Sequence, residues 1–539
     1  MVQFLVSSIL FVLLSTPAYT QSTHWPTPIE FINLQNPFPS NENSINNGNE
    51  NYQLACAPCH GTGGLGNGPA SVNLNPPPAN HTSKYVQRET DGGLFWKISE
   101  GKGSMPAWKT SFTEEERWNL VNYIRTLADP NSTDTLPRTA VAVNRMESSD
   151  DNKSQTTSSQ NNKFLITGSA NTEVIADGSM FNTWNFGTGF QPLFLWRPSE
   201  KLFFESHLHL SVMAQEPESE HAHSQGTQNS SGESHDGGHA TSGAEIMLGY
   251  ANLVYFPTKT LTLTAGYFLS PMGIFTERMH PEWINRFPNT PLGFGHSGNY
   301  FPESDIGVQL RGTLFDSDYF EMIFSGFISN GPALIDTGFY AGKLNYSNLI
   351  DNNSSKAVGG RIGFIFPSIS HLEIGLSGAN SPIGKHETNF ESVTALLSAA
   401  DFSWTTGISS LSSQLTFRGQ LSSVTVDDAN YFIPASYRKS VKPEQKINDS
   451  TYTYQNKLQM LFFQASLRPV EIMNSFFKNI EFAFRYDQIQ LPEMALWSNS
   501  DMRLAFGINY WFTARSLFKI SYQTGEHKNL FYSQWVIGF

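Results

Sequence analysis

The pattern of hydrophobic and polar positions changes twice along the chain. Residues 33–130 contain segments with helical periodicity, residues 131–162 contain almost none, and residues 163–539 contain short segments in which apolar and polar residues alternate. Apolar residues recur every three or four positions in a surface helix and at every second position in a half-buried strand. The pattern therefore predicts a multidomain protein: a small all-α domain over 33–130, a flexible linker over 131–162 and an antiparallel β domain over 163–539.

The helical part ends in the clearest helix signal of the chain. Apolar residues recur at helical spacing over 120–127, and Pro130 lies just past the expected end. Thr113 with Glu116 three residues later has the pattern of a capping box, in which each residue bonds the other's backbone N–H. A second helix is predicted around 48–59. We expect these two helices to close on each other.

The alternating segments of the third part are typical of an outer-membrane barrel. We count about 16 of them, an even number, which lets an antiparallel barrel close with both ends on one side. The clearest examples cover 201–213, 261–269, 306–315, 361–366, 371–378, 414–426, 480–490, 503–512 and 517–525. A water-soluble all-β domain is the alternative.

The connections between these segments favour the transmembrane barrel. Short turns at 197–201, 257–260, 316–319, 367–370 and 514–516 alternate with long loops at 215–242, 271–303, 330–356, 380–392, 427–455 and 491–500. Bacterial barrels have short periplasmic turns and long outer loops. The last strand places Trp535, Ile537 and Phe539 on one side and ends in an aromatic residue, which resembles the terminal strand that the bacterial barrel-assembly machinery recognises. We therefore expect the six long loops on the outer rim.

Composition and charge narrow the class of protein. Charged residues make up only 15% and aromatic residues 13% of the 539 residues, a combination that suits a barrel better than a soluble enzyme. The formal net charge is −13 and no Lys/Arg-rich run is present, so nucleic acid is excluded as a partner.

The start of the chain predicts export. An apolar run over 4–14 is too short to cross a bilayer as a helix, and small residues follow it. We interpret residues 1–20 as a secretory signal peptide, with a membrane anchor as the alternative. Together with the barrel, this places the mature chain in the outer membrane of a Gram-negative bacterium, in contact with its lipid.

Both cysteines of the chain lie in one pentapeptide. Cys56 and Cys59 are followed directly by His60, which is the pattern for covalent haem attachment. Each thiol can form a thioether with a vinyl group, and the adjacent imidazole then reaches the iron. A redox dithiol does not need His60, and a zinc site would need two more ligands at close spacing, where no second cysteine pair exists.

A second iron ligand is expected downstream of this motif. Met105 is followed by a proline that stiffens its loop and by Trp108, which can pack on a porphyrin. Ligation by His and Met raises the reduction potential and fills both axial positions, which favours electron transfer over oxygen chemistry. His81 is a rival ligand, but it lies in a proline-rich polar segment.

Residues of about 33–128 resemble a monohaem class I cytochrome c. The resemblance covers nearly the whole small domain and is carried by Asn36–Pro39, Gly48, Tyr52, Cys56–Gly61, Gly66, Gly68, Pro69, Asn75–Ala79, Leu94–Trp96, Met105–Trp108 and Trp118–Leu127. It implies one covalently attached haem c, held by Cys56 and Cys59, with His60 and Met105 as ligands of the iron.

A cluster of histidines is a candidate site for an external metal ion. Alternation puts Glu205, His207 and His209 on one face of a strand, towards the barrel lumen. Four more histidines, His221, His223, His235 and His239, lie in an acidic loop. Imidazole with carboxylate suits divalent transition metals, and a solvated polar loop without a special role is the alternative.

The order of the parts resembles the fused cytochrome–porin proteins of the outer membrane. In that family electrons pass between an external donor and periplasmic carriers. The resemblance implies one-electron transfer between periplasmic electron carriers and an external redox partner, for which a metal ion is one candidate. The cytochrome domain would lie on the periplasmic side. The alternative is a porin or metal-ion channel with a tethered electron carrier. If the protein is an enzyme, we expect an oxidoreductase that acts on metal ions.

Overall fold

The computed structural model describes most of residues 25–128 and 163–539. The gaps within these two ranges are 26, 67, 69–77, 102–104, 106–107, 111, 178–183, 200, 215–242, 259–260, 280–281, 283, 296–299, 318–319, 348, 350, 352, 354, 367–368, 370–371, 409–410, 433–450, 470–473, 475, 514–515 and 526–528. The predicted signal peptide over 1–20 and linker over 131–162 lie outside the described residues.

The first range folds into short and medium helices. They are α1 (Ile29–Ile32), α2 (Glu42–Ala55), α3 (Ala57–His60), α4 (Lys84–Gln87), α5 (Asp91–Glu100) and α6 (Glu114–Thr126), with a 3₁₀ turn at Trp108–Thr110. The rings of Trp25 and Phe31 lie 5.6 and 6.2 Å from the ring of Trp96 on α5. The helical unit therefore begins at least as early as residue 25, upstream of the predicted boundary at 33.

Side-chain caps fix where the two longest helices begin. Thr113 Oγ1 accepts from the backbone N–H of Glu116 at 3.3 Å, and Glu116 Oε2 accepts from the N–H of Thr113 at 2.8 Å, which confirms the predicted capping box of α6. Asn41 Oδ1 accepts from the N–H of Ser44 at 2.9 Å and caps α2.

Helices α2 and α6 cross closely, as predicted. A Cβ at Gly48 would lie 2.0 Å from the carbonyl oxygen of Asn119, so only glycine fits at this crossing. Beside it, Ser44 Oγ donates to Asn119 Oδ1 at 2.5 Å and accepts from Asn122 Nδ2 at 2.7 Å. Tyr52 and four residues of α6 (Trp118, Leu120, Val121 and Ile124) are at most 2% exposed and form the centre of the core.

The second range forms twenty strands. They are β1 (Lys163–Asp177), β2 (Trp184–Ser199), β3 (Leu202–Ala214), β4 (Gly243–Tyr255), β5 (Leu261–Leu269), β6 (Ser304–Asp316), β7 (Glu321–Ser329), β8 (Ala333–Leu334), β9 (Leu344–Asn345), β10 (Ala357–Phe366), β11 (Leu372–Pro382), β12 (Thr394–Ile408), β13 (Ser413–Val426), β14 (Tyr431–Phe432), β15 (Thr451–Tyr452), β16 (Lys457–Pro469), β17 (Ile480–Gln490), β18 (Asp501–Thr513), β19 (Ser516–Gly525) and β20 (Asn529–Gly538). The count covers the described residues only.

Sixteen of these strands form one closed antiparallel barrel, which confirms the predicted number. Neighbours in the barrel follow each other in sequence, and β1 closes it by pairing with β20, with Thr172 opposite Trp535. The remaining four strands pair as β8–β9 and β14–β15 within long connections. The sequence pattern did not predict these two small sheets.

The barrel is apolar outside and polar inside. Trp535, Ile537 and Phe539 are 47%, 44% and 43% exposed, so these residues lie on one side, as predicted, and that side faces outwards. Arg485 and Asp487, by contrast, are completely buried on the inner face. A closed barrel leaves no unpaired strand edge, and with an apolar outer face it can span a lipid bilayer.

None of the helices in the described residues is long and apolar enough to cross a membrane.

One of the six long loops does not lie where the sequence analysis placed it. Residues 270–303 connect β5 to β6 and were expected on the outer rim, but they cross the lumen. Gln420 Oε1 on β13 accepts from the backbone N–H of Ile274 and Phe275 at 2.8 and 2.9 Å. On β1 and β2, Asn171 and Gln191 donate to Glu282 at 2.6 and 2.8 Å. The segment therefore contacts opposite parts of the barrel wall.

Charged side chains of the wall hold this lumen segment in place. Arg485 Nη1 donates to the carbonyl of Asn289 at 2.8 Å, and Arg503 Nη2 donates to the carbonyl of Thr290 at 2.9 Å. Both arginines also bond Asp487, at 2.7 and 2.6 Å. Asp487 accepts from the Nε of each arginine, and the loop carbonyls accept from their Nη atoms, so the inward path of the loop completes the bonding of the two guanidinium groups.

We expect Gly48→Ala to destabilise the helical domain by about 1–3 kcal/mol, because the new Cβ overlaps the backbone of α6. Thermal unfolding followed by the helical circular dichroism signal measures the change. The matched control is Asn47→Ala on the exposed side of α2, which should not lower the melting temperature. Equal melting temperatures for Gly48→Ala and the wild type would contradict the close crossing.

We expect Asp487→Asn to loosen the lumen segment. The change leaves two buried arginines without their shared counter-charge, and breaking such a buried pair costs about 3–5 kcal/mol. Single-channel conductance in a planar bilayer should rise as the segment leaves the lumen. The control Glu387→Gln removes an exposed charge from an outer connection and should leave conductance unchanged. An unaltered conductance in Asp487→Asn would show that the segment is held by other contacts.

Candidate haem site

The cysteine pair lies where one helix ends and the next begins. The backbone N–H of Cys56 bonds the carbonyl of Tyr52 at 2.8 Å and ends α2, and the N–H of His60 returns to the carbonyl of Cys56 at 2.7 Å in α3. Gly61 then takes a positive φ of 78° and ends the turn. Cys56 and Cys59 are not joined in a disulfide. Both thiols are therefore available for thioether bonds from the same helical turn.

The imidazole of His60 is buried and oriented. It is 8% exposed, and its Nδ1 lies 2.9 Å from the carbonyl oxygen of Ala79. Because a carbonyl can only accept, Nδ1 carries the proton and Nε2 keeps its lone pair. Burial lowers the pKa of His60, although the bond to Ala79 acts in the opposite direction. An imidazole that ligates a metal almost always donates its other N–H in this way, so His60 fits a haem iron.

A second buried histidine lies against the first. The rings of His60 and His81 are stacked, with their centroids 4.1 Å apart and their planes 19° apart. Two axial ligands approach an iron from opposite faces of the haem, with the iron between them. The stack places His81 beside His60 rather than opposite to it, which is the wrong geometry for the rival sixth ligand.

His81 also contacts a buried tyrosine. Tyr52 Oη lies 2.8 Å from His81 Nδ1. Burial lowers the pKa of His81 well below its ordinary value, and the neighbouring His60 lowers it further. Burial also raises the pKa of Tyr52 well above its ordinary value, with the thiol of Cys56 as the next contribution. Both shifts favour the neutral forms of the two groups, which share one hydrogen bond.

Met105 belongs to the same core. It is half-buried and packs against the cluster that contains Tyr52, Cys56 and Trp118. The indole N–H of Trp118 is buried and has no hydrogen-bond partner among the described residues. Buried donors of this kind are rare in a folded protein, and this one fits a polar group that the described residues do not supply. The residues present thus fit a haem.

Residues 43–124 match the protein family described as cytochrome c oxidase, cbb3-type, subunit III. With the Cys56–His60 motif and its geometry, this shows that the helical part is a cytochrome c domain with a covalently attached haem c. The chain therefore joins a cytochrome c domain to a porin-like barrel of 16 strands.

Solved structures similar to the chain include porins. The OmpF of Salmonella typhi in complex with daunomycin is 14% identical, and the match covers 70% of this chain and 98% of that chain with a TM-score of 0.41. An anion-selective porin from Comamonas acidovorans is 8% identical over 70% of this chain and 99% of that chain, with a TM-score of 0.39. No curated protein matches the chain.

A third similar structure matches a smaller part of this chain. A reducing HAO-like protein complex of Kuenenia stuttgartiensis is 24% identical over 18% of this chain and 49% of that chain, with a TM-score of 0.16. Our assignment of the barrel depends on the strand pairing and the apolar outer face of this chain itself.

Part of the predicted histidine cluster is described. Glu205, His207 and His209 lie on β3, and the rings of His207 and His209 are 4.4 Å apart. Tyr250, on the neighbouring strand, lies 5.3 Å from His207, which is only 8% exposed. Their shared inner face agrees with the predicted alternation. In the part of the chain that the structure describes, no three His, Cys, Asp or Glu side chains are grouped to hold a metal ion.

The other four histidines, His221, His223, His235 and His239, lie outside the described residues. The role of the seven residues in binding an external metal ion stays a prediction.

Sequence analysis missed two parts of the site. The acceptor for His60 is a main-chain carbonyl, that of Ala79, and no residue type signals such a contact. The pairing of Tyr52 with His81 joins positions 29 residues apart, and only the presence of a lone histidine near the haem motif could have indicated it.

Proposed function

We propose that the protein is an outer-membrane cytochrome that moves single electrons between periplasmic carriers and an external redox partner. The observation that carries this proposal is the buried, oriented imidazole of His60 directly after two cysteines that form no disulfide, in one core with Met105. A haem with both axial positions filled exchanges electrons and leaves no position for a substrate.

Four residues would hold the haem. Cys56 and Cys59 would attach it through thioethers, and His60 and Met105 would ligate its iron. The bond from His60 to Ala79 fixes the tautomer that ligation needs. Met105 packs against the apolar core, and a thioether ligand together with low solvent exposure raises the reduction potential.

The cytochrome domain would lie on the periplasmic side of the membrane. Lys163, at the start of β1, pairs with Arg197 near the short β2–β3 turn, and the C-terminal end of β20 lies at the same rim. Arg197 also donates a hydrogen bond from Nη1 to the carbonyl of Gln53 in α2. This contact supports a cytochrome at the rim of short turns, which is the periplasmic rim in bacterial barrels.

The external partner would meet the barrel from the opposite rim. The 270–303 segment crosses the lumen, so a protein partner could not pass through it. A metal ion is the candidate that the histidines favour, with Glu205, His207, His209, His221, His223, His235 and His239 as the residues that would gather it. Imidazole and carboxylate groups without thiolates would bind such an ion weakly and exchangeably.

A second function is favoured by the charged inner wall. Arg485, Arg503 and Asp487 line the lumen around the crossing segment, and side chains of this kind select solutes in porins. In this alternative the barrel is a porin or metal-ion channel, and the cytochrome is an electron carrier tethered beside it.

Proteoliposomes separate the two functions. Vesicles that contain the purified protein would be loaded with a membrane-impermeant reduced dye and then exposed to a soluble ferric complex. We expect the wild-type protein to oxidise the dye. The variant Cys56→Ala/Cys59→Ala keeps the barrel but cannot attach haem. We expect its rate of dye oxidation to be at least about tenfold lower, because it lacks the bound haem that exchanges electrons.

The flux of small ions is the matched measurement on the same vesicles. Equal flux in both proteins, with dye oxidation only in the wild type, supports electron transfer. Dye oxidation that is equally fast in the double cysteine variant would contradict it, and haem-independent ion flux as the sole activity would favour the channel.

Replacement of Met105, the proposed second iron ligand, should lower the midpoint reduction potential of the haem. We expect Met105→Ala to lower the midpoint potential, because the thioether that favours ferrous iron is lost, and to let the reduced protein bind carbon monoxide. A spectroscopic redox titration measures the potential, and the absorption spectrum of the reduced protein with and without carbon monoxide measures the binding. Met494→Ala, in the loop between β17 and β18, is the control and should leave the titration unchanged. A wild-type titration for Met105→Ala would show that Met105 is not the ligand.

A further inference from the structure

His81 is held from three sides in a core position that apolar side chains could fill. Its backbone N–H donates to the carbonyl of Gly64 at 2.5 Å, and its carbonyl accepts from Gln87 Nε2 at 2.6 Å. Its side-chain Nδ1 shares a hydrogen bond of 2.8 Å with the hydroxyl of Tyr52. The backbone bonds fix the position of His81, and the bond to Tyr52 together with the stack on His60 restrains the plane of its imidazole.

Gly64 makes the room for this arrangement. Its φ is +78°, and a Cβ at this position would lie 3.1 Å from the Cβ of His81 and 3.3 Å from the hydroxyl of Tyr52. A side chain larger than hydrogen would therefore press on both partners of the hydrogen bond. Glycine adopts a positive φ readily, and at position 64 it also leaves space for the Tyr52–His81 bond.

The restrained ring of His81 limits how the ring of His60 can turn. The bond from His60 Nδ1 to Ala79 restrains one edge of the imidazole but allows rocking about that bond. The stack at 4.1 Å, with 19° between the planes, covers one of its faces. Rotation of His60 about the axis through its Nε2 would drive the ring into His81. The two contacts together leave a single orientation.

We propose that Tyr52 and His81 form a positioning pair that sets the rotational orientation of the His60 imidazole at the haem iron. His81 acts through His60, and Tyr52 acts through His81. This inference rests on the proposed role of His60 as an iron ligand. The orientation of an axial imidazole determines how its π orbitals meet those of the iron, so the pair tunes the electronic state from which the electron leaves.

Electron paramagnetic resonance of the oxidised full-length protein in detergent tests this pair. The g values of a low-spin ferric haem depend on the orientation of its axial imidazole. We expect Tyr52→Phe, which removes one hydroxyl and keeps the ring, to shift or split the g values relative to the wild type. His81→Phe keeps a stacked ring without the nitrogen of that bond and should give a similar shift.

The double variant decides whether the two residues act as a unit. If they do, Tyr52→Phe/His81→Phe shifts the g values no more than either single variant does. Tyr123→Phe is the matched control, because its ring packs 5.0 Å from that of Tyr52 but is not part of the Tyr52–His81 bond, and it should give wild-type g values. Melting temperatures of all variants show that each is folded.

Two results would overturn the proposal. Wild-type g values in a folded Tyr52→Phe variant would show that the bond does not orient His60, and additive shifts in the double variant would show that the residues act separately. If His81→Phe fails to fold, Tyr52→Phe alone gives the answer. The wild-type spectrum tests the proposed ligation first, since an absent low-spin signal would remove His60 and Met105 as ligands whatever the variants show.

Discussion

The hydrogen bond from His60 Nδ1 to the carbonyl of Ala79 is the interaction on which the redox site depends. It fixes the tautomer of the imidazole, and it joins the helical turn that carries both cysteines to the chain that follows. The turn itself is placed by α2, whose position is set by the close approach of Gly48 to α6. A helix crossing thus determines where the thiols and the imidazole meet.

The barrel obeys a different constraint. In lipid every backbone N–H and C=O must be paired within the protein, and strands achieve this only in a closed barrel. The inner face contains charged side chains, and each of these needs a partner. Asp487 and the carbonyls of the lumen segment satisfy Arg485 and Arg503, so buried ion pairs and hydrogen bonds organise this part of the barrel interior.

The amount that sequence alone could predict differs between these two parts. The bounds of β5 and β17 agree with the predicted segments residue for residue, because alternation is a local signal. The capping box at Thr113 is equally local. The path of residues 270–303 through the lumen could not be predicted, since it depends on contacts with side chains up to about 240 positions away along the chain, such as Gln523 with Asn289.

The haem site shows the same division. Cys56, Cys59 and His60 lie within five residues, so sequence alone shows their motif. The stack of His81 on His60 joins residues 21 positions apart and could not be predicted from the sequence. A residue that first suggested a rival ligand instead lies beside the expected one. Its role follows from its ring plane, which no sequence pattern contains.

The account as a whole depends on one haem being bound covalently to a polypeptide that resides in the outer membrane. Intact-protein mass spectrometry of the chain purified from outer-membrane fractions tests this most directly. We predict a single species that is heavier than the mature polypeptide by the mass of one haem. A polypeptide of unmodified mass in those fractions, or a haem-bearing chain found only in the soluble fraction, would contradict the account.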